Sequence, residues 1–373
     1  MGMNPGIPSR CSALSPFRLG VFRRVLLLFL FLVHTFLRAE GADPSQDAFL
    51  LPEILVTTSS LRLAPNSSLT ASVLDRDRLT RHHHRTLADA LTESAGVDTA
   101  SLGAVGAAQL VSLRGASTEQ VLVLLDGHRL NPLQGGGADL SLVPLESLER
   151  VEVIRGCAPS RYGSEGLGGV VNLVSHGRQE GGRFDAATGS GGSGRLAGRY
   201  RLRLDRDGAW HLRVTGSQGV GAPSFSYTDP ERGTVRERDN VDSFVRMGGL
   251  SLSHSPASGV RFPDLSLDLD RMISRRGAPG PSEFPSPGAR LEETGGGGRL
   301  QASFRGNGEG DSPLALSMSF TRRDVHYRDP AALPQAVEDS HVGDRIEFAA
   351  DSGAVLGDRF VLHAGAGASN EKL

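Results

Sequence analysis

The chain has 373 residues, a formal net charge of −2 and 22% charged side chains, which excludes a basic nucleic-acid-binding protein and a charge-driven disordered chain. Glycine supplies 48 residues, without the every-third-residue period of collagen. Of the 40 basic residues all but Lys372 are arginine, so the interior of the chain offers no phosphate-loop lysine and no Schiff-base lysine.

The N-terminus predicts an export signal. Residues 1–24 contain four arginines and no acid, residues 25–33 are an unbroken apolar run, and small residues follow near Ala39 and Gly41. This order is typical of a cleaved secretory signal, which we place at 1–41, and the apolar run is shorter than the ~20 residues of a membrane-spanning helix. The mature chain would keep one cysteine, Cys157, too few for an intrachain disulfide or a Cys-rich zinc site.

Residues 52–177 have the pattern of a compact mixed α/β unit. Thr86 and Asp89 form a capping box that opens a short helix, with Gly96 as its stop. Asp126 and Gly127 predict a tight turn, and Pro144 begins a helical turn. Four short apolar runs predict strands at 110–113, 121–125, 151–154 and 170–174.

Residues 183–366 change to an alternation of apolar and polar side chains with a period of two, which predicts strands. We expect roughly nine of them, at 183–189, 196–204, 210–215, 244–252, 265–269, 300–304, 314–320, 346–348 and 360–362.

The connections between these strands alternate in length. Short turns are expected near 205–208, 254–260, 306–312 and 351–358, and long polar loops near 217–243, 274–297 and 321–341. This alternation favours an outer-membrane barrel with tight periplasmic turns and long outer loops. A soluble antiparallel β protein is the alternative, and the aromatic content of 5% is low for a barrel with aromatic girdles.

Several short motifs in residues 52–177 resemble the plug of TonB-dependent outer-membrane receptors, most closely the receptors for cobalamin and siderophores. The segment 52–58 is similar to the TonB box. The other motifs follow in the family's order at 87–91, 96–98, 113–115, 121–127, 148–156, 162–163 and 168–173. Cys157 stands where the family usually has proline.

The resemblance implies an α+β plug domain followed by antiparallel transmembrane β-barrel strands. The implied domains are a signal peptide (1–41), a TonB-box segment (42–60), the plug (61–177) and the N-terminal part of the barrel (178–373). Such receptors close with 22 strands around the plug, which takes roughly 400 residues. About nine strands fit here, so we expect an incomplete barrel.

The implied function is import of a large metal chelate, cobalamin or a ferric siderophore, with energy from the inner membrane. The partners would be TonB, outer-membrane lipid and the chelate, with the plug facing the periplasm and the barrel lumen. Neither nucleic acid nor a cofactor is expected, and no nucleophile–base or metal-ligand constellation suggests an enzyme. A non-transporting remnant is one alternative. A regulatory receptor is another, although that class carries an extra folded domain before the TonB box.

The resemblance also assigns sites. TonB would pair with an extended segment by strand addition; its residues are Glu53, Ile54, Leu55, Val56 and Thr57, and an ordinary short strand is the alternative. Two loops at the plug apex would approach the chelate, although Gly-rich loops also occur without a ligand. Their residues are Ser101, Gly103, Gly106, Gln109, Asn131, Gln134, Gly135 and Gly136.

Further residues are assigned structural roles in the plug. Arg114, Glu152 and Arg155 would form buried charge pairs that hold the plug in the barrel. The remaining positions are Gly115, Asp126, Gly127, Gly156, Tyr162, Gly163, Gly168 and Gly169. No metal site is assigned, because the run 82–84 of three histidines is expected to be a polar surface. Asp239, Asn240 and Asp242 could bind calcium, but no full ligand set is visible.

Overall fold

The computed structural model describes residues 70–81, 84, 86–101, 107–126, 128–132, 136–156, 166–175, 180–207, 209–229, 232–256, 262–281, 284–304, 314–332, 335–356 and 360–372. All of them lie in one compact unit, Leu50–Leu373. The expected signal peptide and TonB-box segment lie outside the described residues. Among the described residues no helix is long and apolar enough to cross a membrane.

Residues 70–175, which we call the plug region, contain two short helices and seven short strands. These are β1 (Thr70–Asp75), α1 (Arg76–Arg81), α2 (Leu87–Leu91), β2 (Val97–Ser101), β3 (Gln109–Leu113), β4 (Val121–Leu125), β5 (His128–Arg129), β6 (Arg150–Arg155) and β7 (Gly169–Val174). Single 3-10 turns lie at Thr118–Gln120, Leu140–Leu142 and Leu145–Ser147.

The predicted capping box is present at α2. Thr86 Oγ1 accepts from the backbone N–H of Asp89, whose carboxylate accepts from the backbone N–H of Thr86, so two free helix donors are satisfied. The helix ends at Leu91, five residues before the first positive-φ glycine, Gly96.

Five strands of the plug region form a mixed sheet in the order β1-β6-β7-β4-β5. β4 and β7 run parallel, and the other neighbours are antiparallel. The four predicted strands are confirmed as β3, β4, β6 and β7. Leu87 and Leu91 of α2 pack into the core under this sheet, together with Leu113, Val123 and Leu148.

The second part of the chain is one large antiparallel sheet. Among the described residues it has nine strands, as predicted, each paired with the next along the chain apart from an inserted hairpin. They are β8 (Gly181–Thr188), β9 (Gly194–Arg203), β10 (Trp210–Gly221), β13 (Ser243–His254), β14 (Asp264–Gly277), β15 (Arg290–Phe304), β16 (Leu314–Asp329), β17 (Val337–Leu356) and β18 (Phe360–Lys372). The hairpin consists of β11 (Phe225–Thr228) and β12 (Val235–Arg238).

The strands are longer than predicted and two of the loops are correspondingly shorter. The expected loop at 274–297 shrinks to the connection 278–289, and that at 321–341 shrinks to 330–336. The connection 222–242 shortens least from its expected bounds of 217–243, and we call the sheet end that carries these three connections the long-loop end. The prediction failed because glycine, arginine and aspartate, which are typical of loops, are common in the long-loop halves of β14 to β17.

The two faces of the large sheet differ in the expected way. Along β10, Arg213, Thr215 and Ser217 face the plug region and line a cavity there. The alternate residues point outward, and Val214 and Val220 are 46% and 39% exposed. One face is therefore polar and covered by the plug region, while the other exposes apolar side chains.

Two connections at the long-loop end are joined by Asn240. Its backbone is left-handed, with φ 59°, and its side-chain Nδ2 donates to the carbonyls of Ser286 and Ala289, at 2.8 and 2.9 Å. Nη1 of Arg290 contacts both carboxylate oxygens of Asp242, at 2.7 and 2.6 Å. We call this set of contacts the Asn240 clasp, and it engages two of the three residues considered for calcium.

Candidate functional site

The candidate site is the seam between the plug region and the plug-facing side of the large sheet. Ion pairs between described residues cross it; besides a 3.9 Å contact of Arg213 with Asp126, three are short. Arg199 of β9 contacts Glu149 at 2.8 Å, Arg276 of β14 contacts Asp139 at 2.7 Å, and Glu347 of β17 contacts Arg129 at 3.1 Å. The seam is therefore bound at three strands distributed across the sheet.

Two further arginines of the sheet donate to backbone carbonyls of the plug region. Nη1 of Arg299 lies 3.0 Å from the carbonyl oxygen of Asp126, and Nη1 of Arg323 lies 3.1 Å from that of Leu130. Arg323 is also paired with Glu293 at 2.7 Å, which satisfies part of its charge within the sheet. These contacts fix the turn between β4 and β5 against the sheet.

That turn is organised by Asp126. The backbone of Asp126 is left-handed, with φ 50°. Tight hairpin turns require a positive φ at this position, and aspartate tolerates it better than most residues. Its carboxylate accepts from both the backbone N–H, at 2.8 Å, and the hydroxyl of Ser175. Asp126 thus joins the ends of β4 and β7 and presents its carbonyl to the sheet.

The shortest of these ion pairs is Arg276–Asp139, at 2.7 Å. Both side chains are largely buried, 7% and 16% exposed. The other oxygen of Asp139 accepts from the backbone N–H groups of Gln109 and Ser141, at 3.0 and 2.9 Å. One carboxylate thus holds the start of β3, a 3-10 turn and strand β14 together.

An apolar contact lies beside this pair. Leu142 of the plug region forms a buried cluster with Val245 and Met272 of the sheet. The seam thus combines close packing with ion pairs in this corner.

Elsewhere the seam is open. A cavity of about 130 Å³ separates the plug region from β10 and β13 to β17, and its charged lining includes Asp126, Arg213, Asp268, Asp270 and Arg345. Among the described residues, no group of three or more His, Cys, Asp or Glu side chains could hold a metal ion. The chemistry available at the seam is charge pairing and hydrogen bonding.

The prediction of buried charge pairs to the barrel is wrong in its details. Arg114 is exposed. Arg155 is buried, but it donates to the carbonyl of Ala95 at 2.6 Å and to Ser72 Oγ at 2.8 Å, both in the plug region. Burial, and secondarily the charge of Arg114, lowers the pKa of Arg155. These arginines belong to motifs in the plug, and a motif does not reveal which surface its side chains meet.

Glu152 is also held within the plug region. It is 3% exposed and accepts from Arg150 Nε at 2.7 Å and from Asn172 Nδ2 at 2.8 Å. The pairing joins neighbouring strands β6 and β7 of the plug sheet.

Of the residues predicted to contact the chelate, Asn131 has a different role. It is 9% exposed, its Oδ1 accepts from the N–H of Val123 at 2.8 Å, and its Nδ2 donates to the carbonyl of Val121 at 2.9 Å. The amide thus extends the edge of β4 as a further strand residue would do. We assign Asn131 a structural role in place of the predicted ligand contact.

Of the other residues predicted to contact the chelate, only some lie among the described residues. Ser101 is exposed at the end of β2. Gln109 is buried, and its Oε1 has no hydrogen-bond partner among the described residues. Gly136 has φ 92°, and its role stays a prediction. Gly103, Gly106, Gln134 and Gly135 lie outside the described residues.

The predicted structural glycines occupy positions that need glycine. Gly115, Gly156 and Gly169 have φ of 78°, 100° and 141°, where a side chain is strained. A Cβ at Gly168 would lie 2.6 Å from Ala116 Cβ. Outside the described residues lie Glu53, Ile54, Leu55, Val56, Thr57, Gly127, Tyr162 and Gly163.

The sequence reading missed the arginines of the sheet that contact the plug region. The sequence does indicate that these arginines lie on the polar face of the sheet, since Arg199 alternates with apolar neighbours along its strand. Which plug group each arginine meets depends on contacts between residues far apart in the sequence, 50 positions for Arg199 and Glu149 and 193 for Arg323 and Leu130. Local patterns do not carry that information.

Comparison with known proteins identifies this architecture. The sequence model of the TonB-dependent Receptor Plug Domain family matches residues 65–170. Residues 65–170 carry a plug domain of the TonB-dependent receptor type. The large sheet that follows has the fold of an incomplete antiparallel part of the barrel of such receptors.

Solved receptors share this fold. The ferric yersiniabactin uptake receptor FyuA from Yersinia pestis is 16% identical, with a TM-score of 0.53, over 81% of this chain and 56% of its own. The ferric-catecholate import receptor Fiu from E. coli K12 is 14% identical, with a TM-score of 0.58, over 82% and 49%. The copper transporter OprC is 16% identical, with a TM-score of 0.60, over 83% and 46%. The chain spans about half the length of these structures.

Proposed function

We propose that this chain forms the plug and the first barrel strands of an outer-membrane receptor that imports a metal chelate with energy delivered by TonB. The observation that carries the proposal is the plug-family match at 65–170 followed by a sheet whose polar face covers that plug. Receptors and transporters of this family are not enzymes. Import requires the plug to change conformation and the chelate to pass through the barrel, and no covalent bond is broken.

Membrane placement is supported by the outward face of the sheet. Leu250, Leu267 and Leu269 lie on neighbouring strands and are 44%, 40% and 44% exposed. An exposed apolar band on strands with a polar opposite face is the arrangement of a transmembrane barrel. The expected export signal at 1–41 agrees with this location.

The ligand class is supported by similarity at the level of fold alone. The three neighbours are a ferric yersiniabactin uptake receptor, a ferric-catecholate import receptor and a copper transporter. A ferric siderophore is therefore favoured over cobalamin among the chelates that we expected.

The seam supports a mechanism in which the plug shifts while the arginines of the sheet that contact it keep a charged partner. Arg213 and Arg323 contact the plug region and are also paired with Asp268 and Glu293 of the sheet, so each keeps a carboxylate partner when the plug shifts. A buried charge that loses its partner is costly, and these carboxylates lower that cost. Force applied through the TonB-box segment would drive the shift.

The test is Leu55→Pro in cells that express the chain as part of a closed receptor. Proline removes a backbone donor from the segment that would pair with a strand of TonB. We expect uptake of an isotopically labelled ferric siderophore to be lost while binding at the cell surface persists.

Val56→Ala is the matched control, because it keeps the backbone donor and is expected to retain uptake. Loss of binding together with uptake in Leu55→Pro would show that the segment belongs to the fold of the plug, and the proposed coupling would be wrong.

A further inference from the structure

Strand β1 lies at the edge of the plug sheet. Among the described residues it pairs with one neighbour, β6, in a register that runs from Thr70 opposite Arg155 to Asp75 opposite Arg150. The expected TonB-box segment precedes β1 in the chain, so a force applied to that segment reaches β1 before any other element of the sheet. Displacing an edge strand breaks one ladder of hydrogen bonds, whereas displacing an inner strand breaks two.

Arg76 connects this strand to a distant part of the plug region. It follows the last residue of β1 directly and is the first residue of α1. Its Nη1 donates to the carbonyl oxygens of Leu145 and Leu148, at 3.0 and 2.8 Å. These two residues are the first residue and the C-cap of the single 3-10 turn Leu145–Ser147. One guanidinium nitrogen therefore holds both ends of this turn.

A single 3-10 turn has little stability of its own, because its hydrogen-bond geometry is poor. Here the backbone N–H of Ser147 donates to the carbonyl of Pro144 at 3.0 Å, and that of Leu148 donates to the carbonyl of Leu145 at 3.2 Å. Leu145 and Leu148 are 5% and 0% exposed. A charged donor strengthens a hydrogen bond to a carbonyl in such shielded surroundings, so Arg76 stabilises the turn.

The same turn forms part of the wall of the cavity at the seam. Pro144 and Ser147 both line that cavity. Glu149, two residues after the turn, carries the ion pair with Arg199 of β9 at 2.8 Å. We call residues 144–149 the wall turn. A contiguous set of contacts thus runs from the end of strand β1 through the wall turn to the large sheet.

A second arginine of α1 does not share this role. Arg78 follows Arg76 by two residues, and residues two apart on a helix point to nearly opposite sides. The side chain of Arg78 is exposed. Its backbone N–H donates to Asp75 Oδ1 at 2.9 Å, a contact that is kept when the side chain is changed. The two positions therefore differ in contact with the wall turn while they carry the same charge.

We propose that Arg76 is a positioning residue that couples strand β1 to the wall of the seam cavity. When β1 leaves β6, Arg76 is withdrawn from Leu145 and Leu148, and the wall turn loses the donor that fixes its two ends. The wall turn is then free to move, and the cavity widens where this turn had closed it. The inference rests on the proposed function, in which force on the TonB-box segment is what displaces β1.

The first test measures amide hydrogen exchange of Ser147 and Leu148 by mass spectrometry, on the full chain in detergent without TonB or a chelate. Arg76→Met removes both donated hydrogen bonds and keeps an unbranched side chain, so we expect about tenfold faster exchange at these two amides. Arg76→Lys keeps a charged donor and is expected to restore part of the protection. Arg78→Gln is the matched control and should stay within about twofold of the unmodified chain.

The second test displaces β1 without changing Arg76. Ser72→Pro and Val73→Pro are made separately, because successive residues of an edge strand alternate in donating to the neighbouring strand, and one of the two removes a ladder bond. The variant with faster exchange along β6 is called the displaced-strand variant. We expect it to speed exchange of the wall turn about tenfold, and the addition of Arg76→Met to speed it by less than about twofold more.

Unchanged exchange of the wall turn in the displaced-strand variant would overturn the proposal. So would effects of the two changes that multiply, since a merely local role of Arg76 makes them independent. Protection of Val123 and Val171 checks that the plug sheet stays folded. If the proline variants lose it, Leu74→Ala, which weakens the packing of β1 at a residue 3% exposed, takes their place with the same deciding outcomes. Chelate uptake is not measured, so failure of the import proposal would leave these results unchanged.

Discussion

A single side chain, Asn131, completes the edge of the plug sheet. Both ends of its amide bond to the backbone of β4, at Val121 and Val123. It therefore stabilises the plug in the absence of any ligand.

We expect Asn131→Asp to destabilise β4 locally by about 2 kcal/mol, because a carboxylate oxygen replaces the donor facing the Val121 carbonyl. Amide hydrogen exchange at Val123, measured by NMR or mass spectrometry on the ligand-free protein, checks it. Ser101→Ala, at an exposed site, should leave that exchange unchanged. Normal protection in Asn131→Asp would return the residue to the ligand-contact role.

Gly169 is the most constrained glycine of the plug. With φ 141° and a Cβ position only 2.5 Å from both the Ile154 carbonyl oxygen and Leu113 Cδ1, Gly169→Ala should cost on the order of 3 kcal/mol. Faster hydrogen exchange along β7 measures the loss. Gly219→Ala, where a Cβ meets nothing within 4 Å, is the control and should behave as the unmodified chain.

At the scale of elements, strand β14 is fixed to the plug by Arg276. Arg276→Met leaves the buried carboxylate of Asp139 without its cation, so we expect a loss of about 3 kcal/mol in the free energy of unfolding. Thermal unfolding in detergent measures it. Arg290→Gln breaks an ion pair whose side chains are 49% and 40% exposed and should change stability by less than about 0.5 kcal/mol. Equal effects would show that the seam is not stabilised by the buried pair.

The elements that could be predicted are those in which neighbouring residues in the sequence also determine which side chains are buried or capped. The capping box of Thr86 and Asp89 and the apolar run of β4 are set by neighbouring residues. β1 and β2 were missed because their side chains are mostly polar or half-exposed, and the long-loop ends of β14 to β17 were missed because their ladder hydrogen bonds do not need apolar residues. The partners of Arg155 and Arg276 depend on the folded topology, so no local pattern could assign them.

At the scale of the whole molecule, the large sheet has two unpaired edges among the described residues, β8 and β18. Unpaired backbone groups cost several kcal/mol each in lipid and promote aggregation in water. We expect residues 42–373 alone to show no heat-modifiable band on a cold detergent gel, which closed barrels give. A shifted band together with chelate transport would mean that copies of the chain close the barrel by assembling with one another.

The Asn240 clasp has a consequence for how the long-loop end meets an approaching molecule. Because one side chain bonds the connection 222–242 to the connection 278–289, the two segments fluctuate as one body. Their conformational entropy is lost when the protein folds, so it is not lost again on encounter. A molecule that binds at this end therefore contacts one preformed surface in place of two loops that move independently.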